Sequence, residues 1–152
     1  MQIPDFEPRN PDFLSRTNLG FRQQAFMVFL GAELTKVAPG AVEIRLPWQE
    51  GLSQQHGYFH GGAIGAIADV AGGFAAFTLM GRRESIVTVE YKVNMVAPAI
   101  GQTVLARGQV LRAGRQITVA EARLYGVRDG VEKLCATALG TFMCVADQGS
   151  SA

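Results

Sequence analysis

Residues 61–80 read GGAIGAIADVAGGFAAFTLM, and Asp69 is the only charged residue in this stretch. A segment that is apolar all round is typical of a helix at the centre of a domain. It is also long enough to be weighed as a membrane span, but its five glycines and its central acid favour a buried helix. A carboxylate is seldom buried without a partner, because removing its charge from water is costly. Asp69 is therefore a candidate functional group.

Length and composition describe one globular domain. The chain has 152 residues, of which 48% are hydrophobic and 18% charged, and its net charge of +1 gives no reason to expect nucleic acid or a membrane as a partner. The start, MQIPDFEPRNPDF, has acids and prolines where a signal peptide would have basic and then apolar residues. Cys135 and Cys144 lie at odd spacing on one predicted strand, so we expect reduced core thiols in a cytoplasmic protein.

The flanking sequence predicts one more helix and six strands. We expect an irregular leader over 1–17, a domain over 18–146 and a flexible tail over 147–152. Thr17 or Asn18 can cap a first helix that ends near Gly31. Strands are predicted over 32–38, 41–46, 85–97, 102–113, 116–127 and 131–145.

Turn residues and strand order predict the fold class. Pro39-Gly40 marks a turn, and Asp129-Gly130 is typical of a type I′ hairpin. The four last strands follow one another in hairpin order, so the chain is expected to be α+β, with an antiparallel sheet around the central helix. The glycines inside that helix predict that the sheet, or a second copy of the helix, approaches it closely; they are Gly65, Gly72 and Gly73.

Several kinds of chemistry have no motif in this sequence. It contains no G-x-S-x-G elbow, Walker A loop, dinucleotide fingerprint or H-E-x-x-H. His56 and His60, the two histidines, could form a metal site with Asp69. The glycines around them predict a loop rather than a helix with ligands at i and i+4, so no metal is expected.

The glycine pair Gly61-Gly62 lies at the predicted start of the helix, where free backbone N–H groups can hold an anion or an oxyanion. Glycines at this position can also serve only to allow a sharp turn. Gly61 and Asp69 are eight residues apart, about 12 Å along a helix, so they cannot reach one carbonyl carbon within a single helix. Two antiparallel copies of the helix could bring them together, which predicts a dimer.

Three stretches resemble the hotdog-fold acyl-CoA thioesterases, and most of all the phenylacetate-pathway (PaaI-like) group. They are HGYFHGGAIGAIADVAGG, VTVEYKVNMVAPA and VLRAGRQITVAEARLY, and the resemblance covers about residues 18–146. It implies the hotdog fold, an antiparallel sheet wrapped around a long central helix. This agrees with the fold class that the residue pattern predicts.

The resemblance also implies roles for four catalytic positions. The Gly61 amide would polarise the thioester carbonyl, and Asp69 would act as general base or as nucleophile. Gln54, or alternatively Gln55, falls where the family usually has Asn and would orient the substrate or the nucleophile. Thr88 would position the attacking water.

Other positions would bind the substrate. His60 and Gly62 would shape the loop and the helix start against it, and Arg112 and Arg115 resemble basic residues that meet coenzyme A phosphates in relatives. A solvated hairpin end is an equally good interpretation of the two arginines. No cofactor is expected, because coenzyme A is part of the substrate.

The expected function is hydrolysis of an aryl- or medium-chain acyl-CoA by a homodimer or a dimer of dimers. A hotdog-fold hydratase or dehydratase is one alternative, although the H-G-G-to-Asp pattern fits hydrolysis better. A non-catalytic acyl-CoA binding or sensing module is another, and the presence of Asp69 argues against it.

Overall fold

The computed structural model describes residues 5–147, in which three α-helices and six strands are present. The helices are α1 (Phe13–Gln23), α2 (Ala25–Leu30) and α3 (Gly61–Phe77), and a short 3₁₀ turn occupies Glu50–Leu52. The strands are β1 (Glu33–Ala38), β2 (Ala41–Pro47), β3 (Glu84–Met95), β4 (Thr103–Ala113), β5 (Ile117–Arg128) and β6 (Val131–Ala146).

The six strands form one antiparallel sheet in the order β1-β2-β4-β5-β6-β3, and α3 packs against its inner face. This confirms the α+β class and the hotdog arrangement. The predicted hairpin order is wrong for β3, which pairs with β6 instead of β4. β4 has β2 on one side and β5 on the other, so it has no free edge for β3. Residues 96–102 therefore connect two strands that are not neighbours.

The helix and the sheet approach each other closely at glycines. A Cβ on Gly72 would lie 2.9 Å from the Phe142 ring, and one on Gly108 in β4 would lie 2.1 Å from the Ala71 carbonyl oxygen. Both distances are too short for a side chain, so the predicted close approach to the helix is confirmed at Gly72. A Cβ on Gly65 or Gly73 would make only ordinary contacts. Among the described residues, no helix has the length and apolar character needed to cross a membrane.

The amino-terminal helices differ from the prediction. α1 begins at Phe13, so the irregular leader does not extend to residue 17. Thr17 is not a cap: it is buried one turn before Phe21, on the face of α1 that packs into the core. The chain leaves helical geometry at Gln24, which separates α1 from α2. Residues 1–4 of the predicted leader and 148–152 of the predicted tail lie outside the described residues.

Two arginines attach the amino-terminal segment to the end of α3. Arg9 Nε donates to the Leu79 carbonyl oxygen at 3.1 Å, and an Arg16 guanidinium N–H donates to the Gly81 carbonyl oxygen at 2.8 Å. These carbonyls follow the carboxyl end of α3, where the helix dipole favours a cation. The far end of the central helix is therefore held by charged side chains from outside the sheet.

Two local predictions are confirmed. Asp129 and Gly130 have φ angles of 52° and 79°, as the predicted type I′ turn between β5 and β6 requires. Cys135 is buried, Cys144 is half-buried, and both thiols are free.

Candidate active site

The start of α3 presents one backbone amide without an acceptor. His60 is the N-cap, and its Nδ1 accepts the Gly62 N–H at 2.8 Å. The His60 carbonyl oxygen accepts the amides of Ala63 and Ile64 at 3.0 and 3.2 Å. Among residues 5–147, the Gly61 N–H has no acceptor. It lies at the positive end of the helix and can donate to an oxygen that carries negative charge.

Gln54 is held next to this amide by the loop before α3. Its backbone N–H donates to the Tyr58 carbonyl oxygen at 2.9 Å, and its side-chain Oε1 accepts the His56 N–H. Gln54 and Gly61 line one cavity, whereas the neighbouring Gln55 is exposed and does not line it. The geometry therefore favours Gln54 over Gln55 at the predicted position.

The cavity beside Gly61 has a volume of about 510 Å³ and is mainly apolar. Gln54 and Tyr58 supply its polar side chains. Its other walls are formed by Phe59, Ile64, Met95, Val96, Ala97, Pro98 and Ala99. A mainly apolar cleft with a few polar groups at one end is typical of a small-molecule site.

Asp69 lies two turns further along α3 and is half-buried. The Thr88 hydroxyl donates to Asp69 Oδ1 at 2.9 Å, so these two predicted residues are brought together. Burial raises the pKa of the Asp69 carboxyl above its ordinary value, and the hydrogen bond from Thr88 opposes part of that increase. A carboxylate with a raised pKa is a better proton acceptor than an ordinary surface aspartate.

Strand β3 runs beside α3, and three close approaches define a groove between them. The Thr88 hydroxyl bonds to Asp69, a Cβ on Gly65 would lie 3.5 Å from the Tyr91 hydroxyl, and one on Gly61 would lie 3.6 Å from the Met95 methyl. We call the two ends of this groove the amide end, at Gly61, and the carboxylate end, at Asp69. α3 is continuous between the two residues, so they remain about 12 Å apart along its axis. One chain brings the four predicted residues together as two separate pairs.

Arg112 and Arg115 lie at the hairpin between β4 and β5. Both are exposed, they line a shallow cavity of about 470 Å³, and neither forms an ion pair within the described residues. At this end of the sheet Ile117 is opposite Met143, which is in turn opposite Val87. The arginines therefore lie toward the carboxylate end of the groove.

A larger cavity of about 1210 Å³ lies on the outer face of the sheet, away from these residues. Its charged groups neutralise one another, since Arg107 binds Glu43 at 2.8 Å and Glu132 at 2.7 Å. Size alone does not make this cavity the site, because it contains none of the predicted catalytic residues. Among residues 5–147, no group of three His, Cys, Asp or Glu side chains could hold a metal ion.

Comparisons with known proteins agree with this fold. A family model described as the thioesterase superfamily matches residues 56–133. A thioesterase family protein from Silicibacter pomeroyi is 39% identical, with a TM-score of 0.86 over 88% of this chain and 98% of its own. The proofreading thioesterase EntH of Klebsiella pneumoniae is 25% identical over 78% of this chain and 85% of its own. The E. coli PaaI protein from the phenylacetic acid degradation operon is 18% identical and shares the fold, with a TM-score of 0.79 over 91% of this chain and 97% of its own.

The long helix wrapped by one antiparallel sheet defines a hotdog-fold protein. The chain belongs to the thioesterase superfamily, and it is a thioester hydrolase.

Sequence reasoning did not single out Tyr58 and Met95, which line the cavity with Gly61. Tyr58 forms an aromatic pair with Phe59 after the polar run 53–57, and this contrast is a usable signal. Met95 ends a run of alternating apolar residues that includes Tyr91 and Val93, and this alternation indicates its face but not which element packs against that face. Its position became apparent only from the packing of β3 against α3.

Proposed function

We propose that this protein is a cytoplasmic acyl-CoA thioesterase that hydrolyses aryl- or medium-chain acyl-CoA to the free acid and coenzyme A. The observation that carries the proposal is the unpaired Gly61 N–H, which lies beside a mainly apolar cavity at the start of α3. A donor in this position can stabilise the negative charge that develops on a thioester oxygen during attack. The free thiols are consistent with a reducing compartment.

The active site is completed by a second copy of the chain. β3 is a 12-residue edge strand, and within residues 5–147 no strand pairs with its outer side. Such an edge favours pairing with another strand. Gly65 is halfway between Gly61 and Asp69, and its contact Tyr91 lies in the middle of β3. A two-fold axis near this contact would bring the amide end of one chain to the carboxylate end of its partner.

The chemistry follows from this pairing. The thioester oxygen accepts the Gly61 N–H of one chain, while the Asp69 carboxylate of the partner takes a proton from a water held by Thr88. The resulting hydroxide attacks the carbonyl carbon, and the C–S bond breaks as the tetrahedral intermediate collapses. The proton on Asp69 then passes to the coenzyme A thiolate, which leaves as the free thiol. Alternatively the carboxylate attacks the carbonyl carbon directly and expels the coenzyme A thiolate. Water then hydrolyses the mixed anhydride to the free acid and the Asp69 carboxylate, and the proton that is released goes to the thiolate.

Pairing the amide end of one chain with the carboxylate end of its partner also accounts for substrate binding. Gln54 remains at the amide end, where its side-chain N–H groups make no hydrogen bond within the described residues and can orient the thioester. Arg112 and Arg115 lie toward the carboxylate end, where the partner would present them to the coenzyme A phosphates. The pair of chains would form a homodimer, or half of a dimer of dimers.

The test measures thiol release from a panel of acyl-CoAs by the wild-type protein and by Asp69→Asn. We expect kcat to fall by about a hundredfold or more, because the general base is lost. Glu90→Gln is the matched control, because it also neutralises a carboxylate. Glu90 is exposed on β3, the strand that carries Thr88, and it accepts a hydrogen bond from Thr141 instead. Near-normal turnover by folded Asp69→Asn would remove this residue from the mechanism. Hydration of a 2-enoyl-CoA without thiol release would instead identify a hydratase.

A further inference from the structure

We infer that Met95 limits the length of the acyl group that the site accepts. This inference rests on the proposed thioesterase function and names a specificity-determining residue for it. A Cβ on Gly61 would lie 3.6 Å from the terminal methyl of Met95, and both residues line the apolar cavity. An acyl chain that extends into this cavity from a carbonyl held by the Gly61 amide therefore meets Met95 as one of its walls.

Two parts of an acyl-CoA could enter this cavity, the acyl chain or the pantetheine arm. Pantetheine contains two amide groups that need hydrogen-bonding partners. The wall amides of Val96 and Ala97 already donate to the Cys135 carbonyl oxygen, and the Phe59 amide donates to the Ala99 carbonyl oxygen. Gln54 and Tyr58 are the only polar side chains among the lining residues, too few for both amides of pantetheine. Leaving buried amides of a ligand unpaired is costly, so the cavity suits the acyl chain better.

Substitution of Met95 should change the space available in the cavity. Met95 is 49% exposed and lines the cavity, and its thioether side chain is flexible. Met95→Ala removes three heavy atoms, which makes room for about three methylene groups. Each methylene that gains an apolar contact is worth about fourfold in kcat/KM. Met95→Phe replaces the flexible chain by a rigid ring and reduces the space.

The experiment measures kcat/KM by thiol release for acetyl- through dodecanoyl-CoA, with benzoyl- and phenylacetyl-CoA included. For Met95→Ala we expect the preferred chain to lengthen by two or three carbons, with at least a tenfold change in the ratio of long to short substrates. For Met95→Phe we expect the opposite shift. Met143→Ala is the matched control, because this methionine is 40% exposed on the outer face of β6, and its profile should follow the wild type.

The possible outcomes separate the two proposals. A wild-type protein that hydrolyses no acyl-CoA overturns the thioesterase function and this inference with it. An active protein whose chain-length profile is the same in Met95→Ala, Met95→Phe and the wild type overturns only the role of Met95. If KM rises equally for every substrate in the Met95 variants, pantetheine rather than the acyl chain occupies the cavity, and this result also overturns the role of Met95. If Met95→Ala does not fold or associate, Met95→Leu and Met95→Phe decide the question, since both keep the volume that packs against α3.

Discussion

The Gly61 amide can be removed without changing the rest of the helix start. Gly61 is the first residue of α3, a position that favours proline because its N–H has no partner within the helix. His60 has φ −65° and ψ 137°, which is the extended conformation that a following proline requires. Gly61→Pro is therefore expected to delete the N–H and keep the fold.

Losing one well-placed oxyanion donor costs about 3 kcal/mol of transition-state stabilisation, or roughly a hundredfold in kcat. Gly61→Ala is the matched variant, because it adds the same Cβ but keeps the amide. The Cβ would lie 3.6 Å from Met95, an ordinary van der Waals contact, so we expect activity within a few-fold of the wild type. Thiol release and circular dichroism on the two variants measure activity and folding together.

Either of two results with these variants would refute the oxyanion role of the Gly61 amide. Gly61→Pro could retain activity while folded, which shows that the amide is not needed. Alternatively, both variants could lose activity equally, which shows that the site does not tolerate a Cβ and that the N–H is not the reason. Only a large loss in Gly61→Pro with a small loss in Gly61→Ala agrees with the mechanism.

Three further predictions follow from the same geometry. Mixing inactive Asp69→Ala and Gly61→Pro subunits should restore about a quarter of wild-type activity after complete exchange, because about half the dimers are mixed and each has one intact site. Mixing Asp69→Ala with Asp69→Asn is the control and should restore none. Recovery in both mixtures, or in neither, would contradict a shared site. Alanine at Arg112 and Arg115 should raise KM for acyl-CoA but not for the matching N-acetylcysteamine thioester, and an equal rise for both would exclude contact with the coenzyme A phosphates. Activity should fall as the pH drops through the raised pKa of Asp69, because the protonated carboxyl cannot accept a proton. The free energy of unfolding should decrease as the pH rises from the ordinary Asp pKa to the raised one, because the folded carboxyl binds its proton more tightly than the unfolded carboxyl. Asp69→Asn should remove that slope in stability, and an unchanged slope in urea titrations would show that another group causes it.

The strands, the central helix and the DG hairpin could be predicted because each depends on a local pattern. Alternation in β2 identifies Val42, Ile44 and Leu46 as core residues, and all three are buried. The same alternation could not show that Glu43 is also covered, since Arg107 reaches it from β4, far along the chain. Alternation likewise indicates which face a residue occupies but not which strand lies next to it, and this is why β3 was placed beside the wrong neighbour.

The site could be predicted in part for similar reasons. Asp69 stands out as a charge within an apolar helix, and the structure brings it together with Thr88, the other residue predicted for the same part of the site. Met95 has no such contrast, because methionine is common on exposed and buried faces alike. Its importance depends on the contact between β3 and α3, which joins residues far apart in the sequence.

The continuity of α3 between Gly61 and Asp69 limits how the chain can change in length. Each residue of an α-helix advances the chain by 1.5 Å and turns it by about 100°. One residue inserted or deleted in this span would therefore turn Asp69 away from Thr88, even if every side chain in between were retained. Substitutions between Gly61 and Asp69 leave this spacing intact. Insertions in the loop over 48–59 also leave it intact, because the loop lies before Gly61. The number of residues in this part of the helix is thus more constrained than their identity, and variation in chain length should be confined to the loops.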